Sequence, residues 1–261
     1  MNIVSILRKA RIFRALDIFV VLLLMHTQVS AQQTLKLAAL DNYAPFSWSE
    51  NGQGKGSDIE IVNELCLRLN IRCTVMFLPW KRALVETEYG RIDGIIGAFT
   101  SLKRNEFAYS VPFPLHYSIV KVFVRNEDAQ GYNKVEDLQG KSVGINRGFH
   151  LSKQIDDAVE SGFFDMQVAN NSEANISKLL QGRIEGFLGN YHQTAWLLEK
   201  LSLTEKVRDI PAFVKTPIPT HIIISKKSPI KDKVDLLLRL DMTLQSMYQE
   251  PYFKKFMAAP E

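Results

Sequence analysis

Strand-like and helix-like segments alternate along this chain from about residue 35 to residue 247, and this alternation is its strongest constraint on the fold. Short apolar runs predict strands, and apolar positions at helical spacing predict helices. Strands that alternate with helices form mainly parallel sheets, so we predict an α/β protein. The predicted strands are 35–40, 73–78, 92–98, 117–124, 142–146, 165–169, 184–189 and 219–225, and the predicted helices are 57–69, 80–89, 149–160, 172–181, 191–201 and 229–247.

The series is interrupted near the middle of the chain. The apolar run 117–124 leads into a polar stretch, 125–133, before a second strand–helix series begins. We therefore predict two α/β lobes joined by two crossing strands, with a ligand cleft between them. The predicted limits are residues 34–121 and 222–261 for lobe 1 and 122–221 for lobe 2.

The first 31 residues have the pattern of a secretory signal. Four basic residues precede a short apolar run, Ile18 to Met25, and the segment ends in small residues at Ala31. The run is shorter than the roughly 20 residues that span a bilayer, so we predict a cleavable signal peptide over an uncleaved anchor. The expected location is the periplasm.

Charge excludes some partners. The whole chain has a formal charge of +4, and removal of residues 1–31 lowers it to +1. A nearly neutral chain without a basic run gives no reason to expect nucleic acid as a partner.

The predicted export bears on the redox state of the two cysteines, Cys66 and Cys73. Cys66 lies near the end of the helix predicted over 57–69, for which Ser57 or Asp58 is a plausible cap, and Cys73 begins the next strand. An oxidising compartment favours pairing them, although two buried free thiols remain the alternative. Two cysteines without nearby histidines make an incomplete zinc site, and the histidines elsewhere in the chain are not spaced as metal ligands are. We therefore predict no metal and no cofactor.

Several short strings follow one another in an order typical of one family. The strings are 43–46 (YAPF), 56–61 (GSDIEI), 64–74, 90–94 (GRIDG), 101–104 (SLKR), 110–113 (SVPF), 137–144 (DLQGKSVG) and 182–187 (GRIEGF). With them the chain resembles the bacterial extracellular solute-binding proteins of family 3, including the histidine- and lysine/arginine/ornithine-binding proteins, over about residues 35–258.

This resemblance implies a type II periplasmic binding fold, in which two lobes joined by a two-strand hinge close on a ligand. It also implies a disulfide between Cys66 and Cys73, which matches one in the basic amino-acid binders. Arg104 stands where the family keeps the arginine that binds the ligand carboxylate, and Ser101 precedes it at a helix start. The alternative for Arg104 is a surface helix residue beside Lys103.

Aromatic residues supply the predicted walls of the site. Tyr43 matches a family aromatic that stacks over the ligand, and Trp80 falls where basic amino-acid binders place an apolar lining residue. An ordinary core position is the alternative for Trp80.

Other candidate positions depart from the family pattern. Asn190 replaces the aspartate that pairs with the ligand ammonium, Phe149 and His150 replace two threonines, and Phe99 replaces a small hydroxyl residue. His150 could contact ligand, sense pH or simply face solvent. We expect a cleft that keeps its anion-binding arginine, is more aromatic than usual, and does not suit a standard α-amino acid.

The predicted function is capture of a small amino-acid-like or carboxylate solute for an ABC permease, by a monomer. One alternative is a ligand sensor that acts through a membrane receptor. Another is an enzyme similar to the cyclohexadienyl dehydratases of this family, which would need a cleft carboxyl as general acid or base. Asp41, Glu50 and Glu185 do not fall at obvious cleft positions, so we predict no enzymatic activity.

Overall fold

Two large β-sheets organise the described part of the chain, and residues 48–50 and 53–55 pair antiparallel in a separate two-stranded sheet. The computed structural model describes residues 34–128, 130–149, 153–211 and 216–257. Its strands are β1 (Thr34–Leu40), β2 (Trp48–Glu50), β3 (Gln53–Lys55), β4 (Arg72–Leu78), β5 (Gly94–Ala98), β6 (Ala108–Ser110), β7 (His116–Ser118), β8 (Val120–Arg125), β9 (Ser142–Asn146), β10 (Asp165–Ala169), β11 (Gly186–Asn190), β12 (Val207–Pro211) and β13 (Ile218–Ser225). Its α-helices are α1 (Ser57–Arg68), α2 (Trp80–Glu88), α3 (Leu102–Phe107), α4 (Lys153–Glu160), α5 (Ser172–Leu180), α6 (Tyr191–Lys200), α7 (Lys233–Tyr248) and α8 (Pro251–Met257).

The first sheet has the order β4-β1-β5-β13-β6, with β7 also paired to β13. β1 is parallel to β4 and β5, because α1 and α2 carry the chain back between these strands. Strand β13 arrives from the far end of the sequence and runs antiparallel to β5. One main apolar core forms where α1 and α7 pack together beside β1, around Leu37, Leu65 and Leu240. This sheet and its helices form lobe 1.

The second sheet contains only the middle of the chain, in the order β10-β9-β11-β8-β12. β9 is parallel to β10 and β11, whereas β8 is antiparallel to both β11 and β12. Two apolar clusters support it, one that includes Leu138 and Leu188 and another around the stacked rings of Phe123 and Phe187. This sheet and its helices form lobe 2.

Two strands connect the lobes, as predicted. The chain passes from lobe 1 to lobe 2 between Ser118 and Val120, and it returns between Pro211 and Ile218. At the crossing, β7 pairs antiparallel with the start of β13, so that Thr220 lies opposite His116. The expected two-lobe arrangement with a two-strand hinge is therefore confirmed, whereas the lobe limits at residues 121 and 221 stay predictions.

The predicted single strand 117–124 is two strands in the structure. β7 pairs with β13 in lobe 1, and β8 pairs with β11 and β12 in lobe 2. Because the two partners belong to different sheets, the chain leaves strand geometry at Ile119. An apolar run carries no sign of such a change of sheet.

Helix starts also differ from prediction. The helix predicted from residue 229 begins at Lys233, where the side chain of Asp232 accepts a hydrogen bond from the amide of Asp235 at 3.0 Å. The helix predicted over 149–160 is described from Lys153. The predicted signal peptide, residues 1–31, lies outside the described residues. In the described ranges no helix combines the length and apolar character needed to cross a membrane.

The predicted disulfide is present. Cys66, on α1, is bonded to Cys73, on β4, with their Cα atoms 6.1 Å apart. The bond fastens the end of a core helix to the edge strand of the first sheet.

Removal of this disulfide will lower the stability of lobe 1. A Cys66→Ala/Cys73→Ala variant is expected to lose about 2.5 kcal/mol of unfolding free energy, because the loop closed by the bond is short and restricts the unfolded chain modestly. Urea titration followed by tryptophan fluorescence measures the change. The oxidised wild type treated with reductant should move to the same midpoint, and an unchanged midpoint in both samples would contradict this role.

Candidate functional site

A cleft between the lobes holds most of the predicted site residues. Its empty volume is about 460 Å³, a figure that includes solvent at its mouth. It is lined by Leu40, Tyr43, Ser47, Asp58, Trp80, Ile96, Gly97, Phe99, Arg104, His116, Ser118, Phe149 and Thr220. Of the described part of lobe 2, only Phe149 lines this wall, because the other lining residues belong to lobe 1 or to the hinge strands β7 and β13.

Side chains of lobe 1 contact lobe 2 at two places. The indole N–H of Trp80, which lines the cleft, donates to the carbonyl of Gly148 at 3.0 Å. Away from the lining residues, Trp48 lies 6.4 Å from Trp196 between ring centroids. These contacts leave a narrow space of the size that holds a small solute.

Arg104 is the cation of this wall. Its side chain follows Ser101, whose hydroxyl accepts a hydrogen bond from the Arg104 amide at 3.2 Å and caps α3. The guanidinium donates to the Phe99 carbonyl at 2.6 Å and lies 5.3 Å from the centre of the Trp80 ring. Arg104 is only 5% exposed, and no described carboxylate lies within salt-bridge distance of it.

Burial makes the charged form of the Arg104 side chain less favourable. Loss of hydration lowers the pKa of its guanidinium to about 10, and the attraction of Asp156 opposes this shift. Arg104 therefore stays protonated at neutral pH at a cost in free energy. An anion that binds beside it would remove that cost.

The aromatic walls come from turns that end strands. Tyr43 lies in the turn after β1, which is closed by hydrogen bonds between the backbones of Tyr43 and Ser47. Burial, with a smaller effect from the charge of Asp58, raises the pKa of the Tyr43 hydroxyl far above its usual value. Trp80 begins α2 directly after Pro79, where proline suits a helix start. Both rings contact Phe149, whose ring centre is 6.3 Å from that of Tyr43 and 6.1 Å from that of Trp80.

An acidic residue that sequence reasoning did not assign to the site also lines the cleft. Asp58 is 3% exposed, and its Oδ1 lies 2.7 Å from Nδ1 of His116, which is 2% exposed. The ring nitrogen donates, because a carboxylate only accepts. The His116 ring also stacks on Phe46 at 4.1 Å between centroids.

Local backbone geometry frees Asp58 for this contact. The predicted cap residues do not cap α1, because Gly56 occupies that position and the amides of Ser57 and Asp58 donate to the carbonyls of Pro45 and Phe46. Gly97 adopts φ +75°, and a Cβ at that position would lie 2.9 Å from Oδ2 of Asp58. Glycine at residue 97 therefore leaves room for the carboxylate.

A chain of buried side chains leads from this pair into lobe 2. The Ser118 hydroxyl lies 3.4 Å from Nε2 of His116 and accepts a hydrogen bond from Nδ2 of Asn190 at 2.9 Å. Oδ1 of Asn190 in turn accepts from the amide of Gln193 and so caps α6. From the side chain of Gln193, further side-chain hydrogen bonds lead to Ser172, then to Asn146 and then to Asn175.

The structure therefore divides the predicted site residues into those that line the cleft and those that do not. It places Tyr43, Trp80, Phe99, Arg104 and Phe149 around one cleft. Ser101 and Asn190 are not among the lining residues, since the first caps α3 and the second caps α6 one side chain behind Ser118. His150 lies outside the described residues.

Asn190 should contribute more to stability than an ordinary helix cap. Asn190→Ala is expected to lower the unfolding free energy by about 2–3 kcal/mol, because it removes the cap of α6 and the donor to buried Ser118. Asn171 caps α5 with a similar bond to Ala174 but is exposed, so Asn171→Ala is the matched control and should lose about 1 kcal/mol. Urea denaturation measures both changes, and equal losses would contradict a role for the Ser118 contact.

The site offers little to a metal ion. Across the described ranges, no three His, Cys, Asp or Glu side chains lie close enough together to hold one. The cleft chemistry therefore consists of one buried cation, one buried carboxylate–imidazole pair and aromatic surface.

Known proteins with this fold bind small solutes. The chain is 21% identical over 227 residues to the probable amino-acid-binding protein YxeM of Bacillus subtilis (strain 168), covering 85% of this chain and 84% of that protein. It is 30% identical over 119 residues to the histidine-binding periplasmic protein of Escherichia coli (strain K12), a match that covers 44% of this chain and 45% of that protein. An ancestral arginine-binding protein solved with arginine superposes with a TM-score of 0.74 at 18% identity, over 86% of this chain and 96% of that one.

The structural likeness confirms the type II periplasmic binding fold that the sequence predicts. The family model for the bacterial extracellular solute-binding proteins, family 3, matches residues 35–258, which is nearly all of the chain described by the structure. The chain therefore belongs to the bacterial extracellular solute-binding proteins of family 3.

Proposed function

We propose that this solute-binding protein captures a small organic acid in its cleft, in the periplasm, and presents it to the permease of an ABC importer. The ligand carboxylate binds the guanidinium of Arg104, and the body of the ligand lies between aromatic side chains. Relatives named for amino acids support a carboxylate-bearing ligand, because every amino acid carries that group.

The observation that carries the proposal is the charge of Arg104. A buried guanidinium without a carboxylate partner within 4.0 Å among the described residues is costly in the unliganded protein. Its planar fork matches a carboxylate in two parallel hydrogen bonds. A ligand that brings one negative charge therefore gains most of its affinity here.

The ammonium group of an amino acid finds less support. Asp58 is the only acidic residue among the described residues that line the cleft, and its Oδ1 already accepts from His116. Asn190, at the family's aspartate position, is neutral and directed to Ser118. We therefore favour a plain or hydroxylated carboxylic acid over a zwitterion.

Matched pairs of acids test this proposal. Thermal shift and isothermal titration with lactate and alanine, and with phenyllactate and phenylalanine, compare a hydroxyl with an ammonium on the same carbon skeleton. The hydroxy acid of each pair should bind at least as tightly as the amino acid, and the best ligand of a wider panel should reach micromolar affinity. Binding of amines without a carboxylate, or of amino acids alone, would refute the proposed charge pattern.

One observation favours a second candidate, an elimination reaction on a ring acid. Asp58 and His116 place in the cleft the carboxyl that such a reaction needs, a group that sequence reasoning sought at Asp41, Glu50 and Glu185. Incubation of the protein with a cyclohexadienyl acid, followed by ultraviolet absorbance of the aromatic product, distinguishes the two functions. The binding proposal expects a stable complex and no product, and turnover that is lost in Asp58→Asn would replace it.

A further inference from the structure

Phe149 contacts two aromatic side chains of lobe 1 that line the cleft. The plane of its ring lies at 77° to that of Tyr43 and at 75° to that of Trp80. Among the described residues, it is the only one of lobe 2 that lines the cleft. A solute that binds against the lobe 1 wall therefore shares the cleft with this phenyl ring.

The backbone fixes the position of this ring. The amide of Phe149 donates to the carbonyl of Asn146 at 3.0 Å in the turn after β9. The preceding carbonyl, of Gly148, accepts from the Trp80 indole at 3.0 Å and lies 3.5 Å from a guanidinium nitrogen of Arg104. The side chain also packs against the apolar cluster of lobe 2. Contacts with both lobes thus hold the ring in the cleft, one residue after the carbonyl that approaches Arg104.

The position of Phe149 bears on the length of the ligand, an inference that rests on the proposed function. Arg104 and Phe149 line the same cleft, and both contact Trp80, so we expect a long chain on the α-carbon of an Arg104-bound carboxylate to meet the Phe149 ring. The ring offers apolar contact to a ligand with a short apolar chain. It offers no hydrogen-bond partner to a polar group on that chain.

We propose that Phe149 is the specificity-determining residue of the cleft and restricts its ligands to short-chain organic acids. Straight-chain acids that differ only in length probe this directly. Wild-type protein binds propanoate more tightly than hexanoate. In Phe149→Ala the space left by the ring admits the longer chain, so the affinity for hexanoate relative to propanoate rises at least tenfold.

Two further variants complete the isothermal titration experiment. Phe149→Leu keeps an apolar side chain and so protects folding, and its affinity ratio shifts in the same direction by at least threefold. Phe163→Ala removes a phenyl ring that packs against the same lobe 2 cluster but does not line the cleft, so its ratio equals that of the wild type.

The outcomes separate this proposal from the proposed function. If the wild type binds these acids through Arg104 but the ratio stays unchanged in both Phe149 variants, the ring moves aside when ligand enters, and Phe149 does not set specificity. If Phe163→Ala shifts the ratio as much as Phe149→Ala, the effect belongs to lobe 2 packing and the proposal also fails. If neither acid binds any of the four proteins, the anion site itself is refuted, and this proposal fails with it.

Discussion

Replacement of Arg104 by methionine is expected to abolish binding of organic acids while the unliganded protein stays at least as stable as the wild type. The ligand carboxylate loses its charged, hydrogen-bonded partner in a buried site, which corresponds to a loss of at least about 100-fold in affinity. Function and stability therefore change in opposite directions at this residue.

The stability part of this prediction follows from the sign of the pKa shift. The pKa of Arg104 in the folded protein, about 10, lies below its ordinary value of 12.5, so burial destabilises the charged form at every pH below 10. The shift corresponds to about 3 kcal/mol. Methionine removes that cost and fills similar space, but it leaves the Phe99 carbonyl without its donor, which costs about 1–2 kcal/mol. The net change is a gain of about 1–2 kcal/mol.

Lys103→Met is the matched control for Arg104→Met. Lys103 is the neighbouring cation on α3 and is exposed, so its loss should alter neither affinity nor stability. Titration calorimetry with the best-binding panel acid and urea denaturation without ligand measure the two effects. Wild-type affinity in Arg104→Met would refute the site, and a large loss of stability would show that the guanidinium is a structural group.

The Asp58–His116 pair is expected to give the largest effect on stability. Either Asp58→Ala or His116→Ala should lower the unfolding free energy by about 3–5 kcal/mol, because each leaves a buried polar group without its partner. The pair also joins the start of α1 to the hinge strand β7, so its loss loosens the wall of the cleft.

A double-mutant cycle tests the coupling. The Asp58→Ala/His116→Ala variant should lose clearly less than the sum of the single variants, since the second substitution removes the group that the first leaves unpaired. Asp157→Ala, which removes an exposed partner of Lys153, is the control and should leave stability unchanged. Additive losses in the double variant would contradict a direct interaction.

The local pattern of the sequence was sufficient to predict the two lobes and their main strands and helices. Buried strands such as β9 and β11 appear as short apolar runs, and α5 and α6 show apolar positions at helical spacing. Short elements, including β6 and β12, were not predicted, because their few residues pair with strands distant in sequence. Pairing of that kind leaves no periodic signal.

The site was predictable where a residue keeps its place in a family string. Arg104 and Tyr43 follow strings that recur in the family, and both line the cleft. Asp58 and His116 are 58 positions apart and meet only in the folded chain. Phe149 was a candidate because of its place in the family pattern, but its contacts with Tyr43 and Trp80 form only where lobe 2 approaches lobe 1. Only the packing of the folded chain shows such contacts.

A crystal structure with the panel acid that gives the largest thermal shift tests the central claim most directly. The account predicts that the carboxylate lies within hydrogen-bond distance of the Arg104 guanidinium, with Tyr43 and Trp80 beside the body of the ligand and Phe149 above it. A carboxylate bound elsewhere in the cleft, with the Arg104 guanidinium still directed to the carbonyls of Phe99 and Gly148, would contradict it.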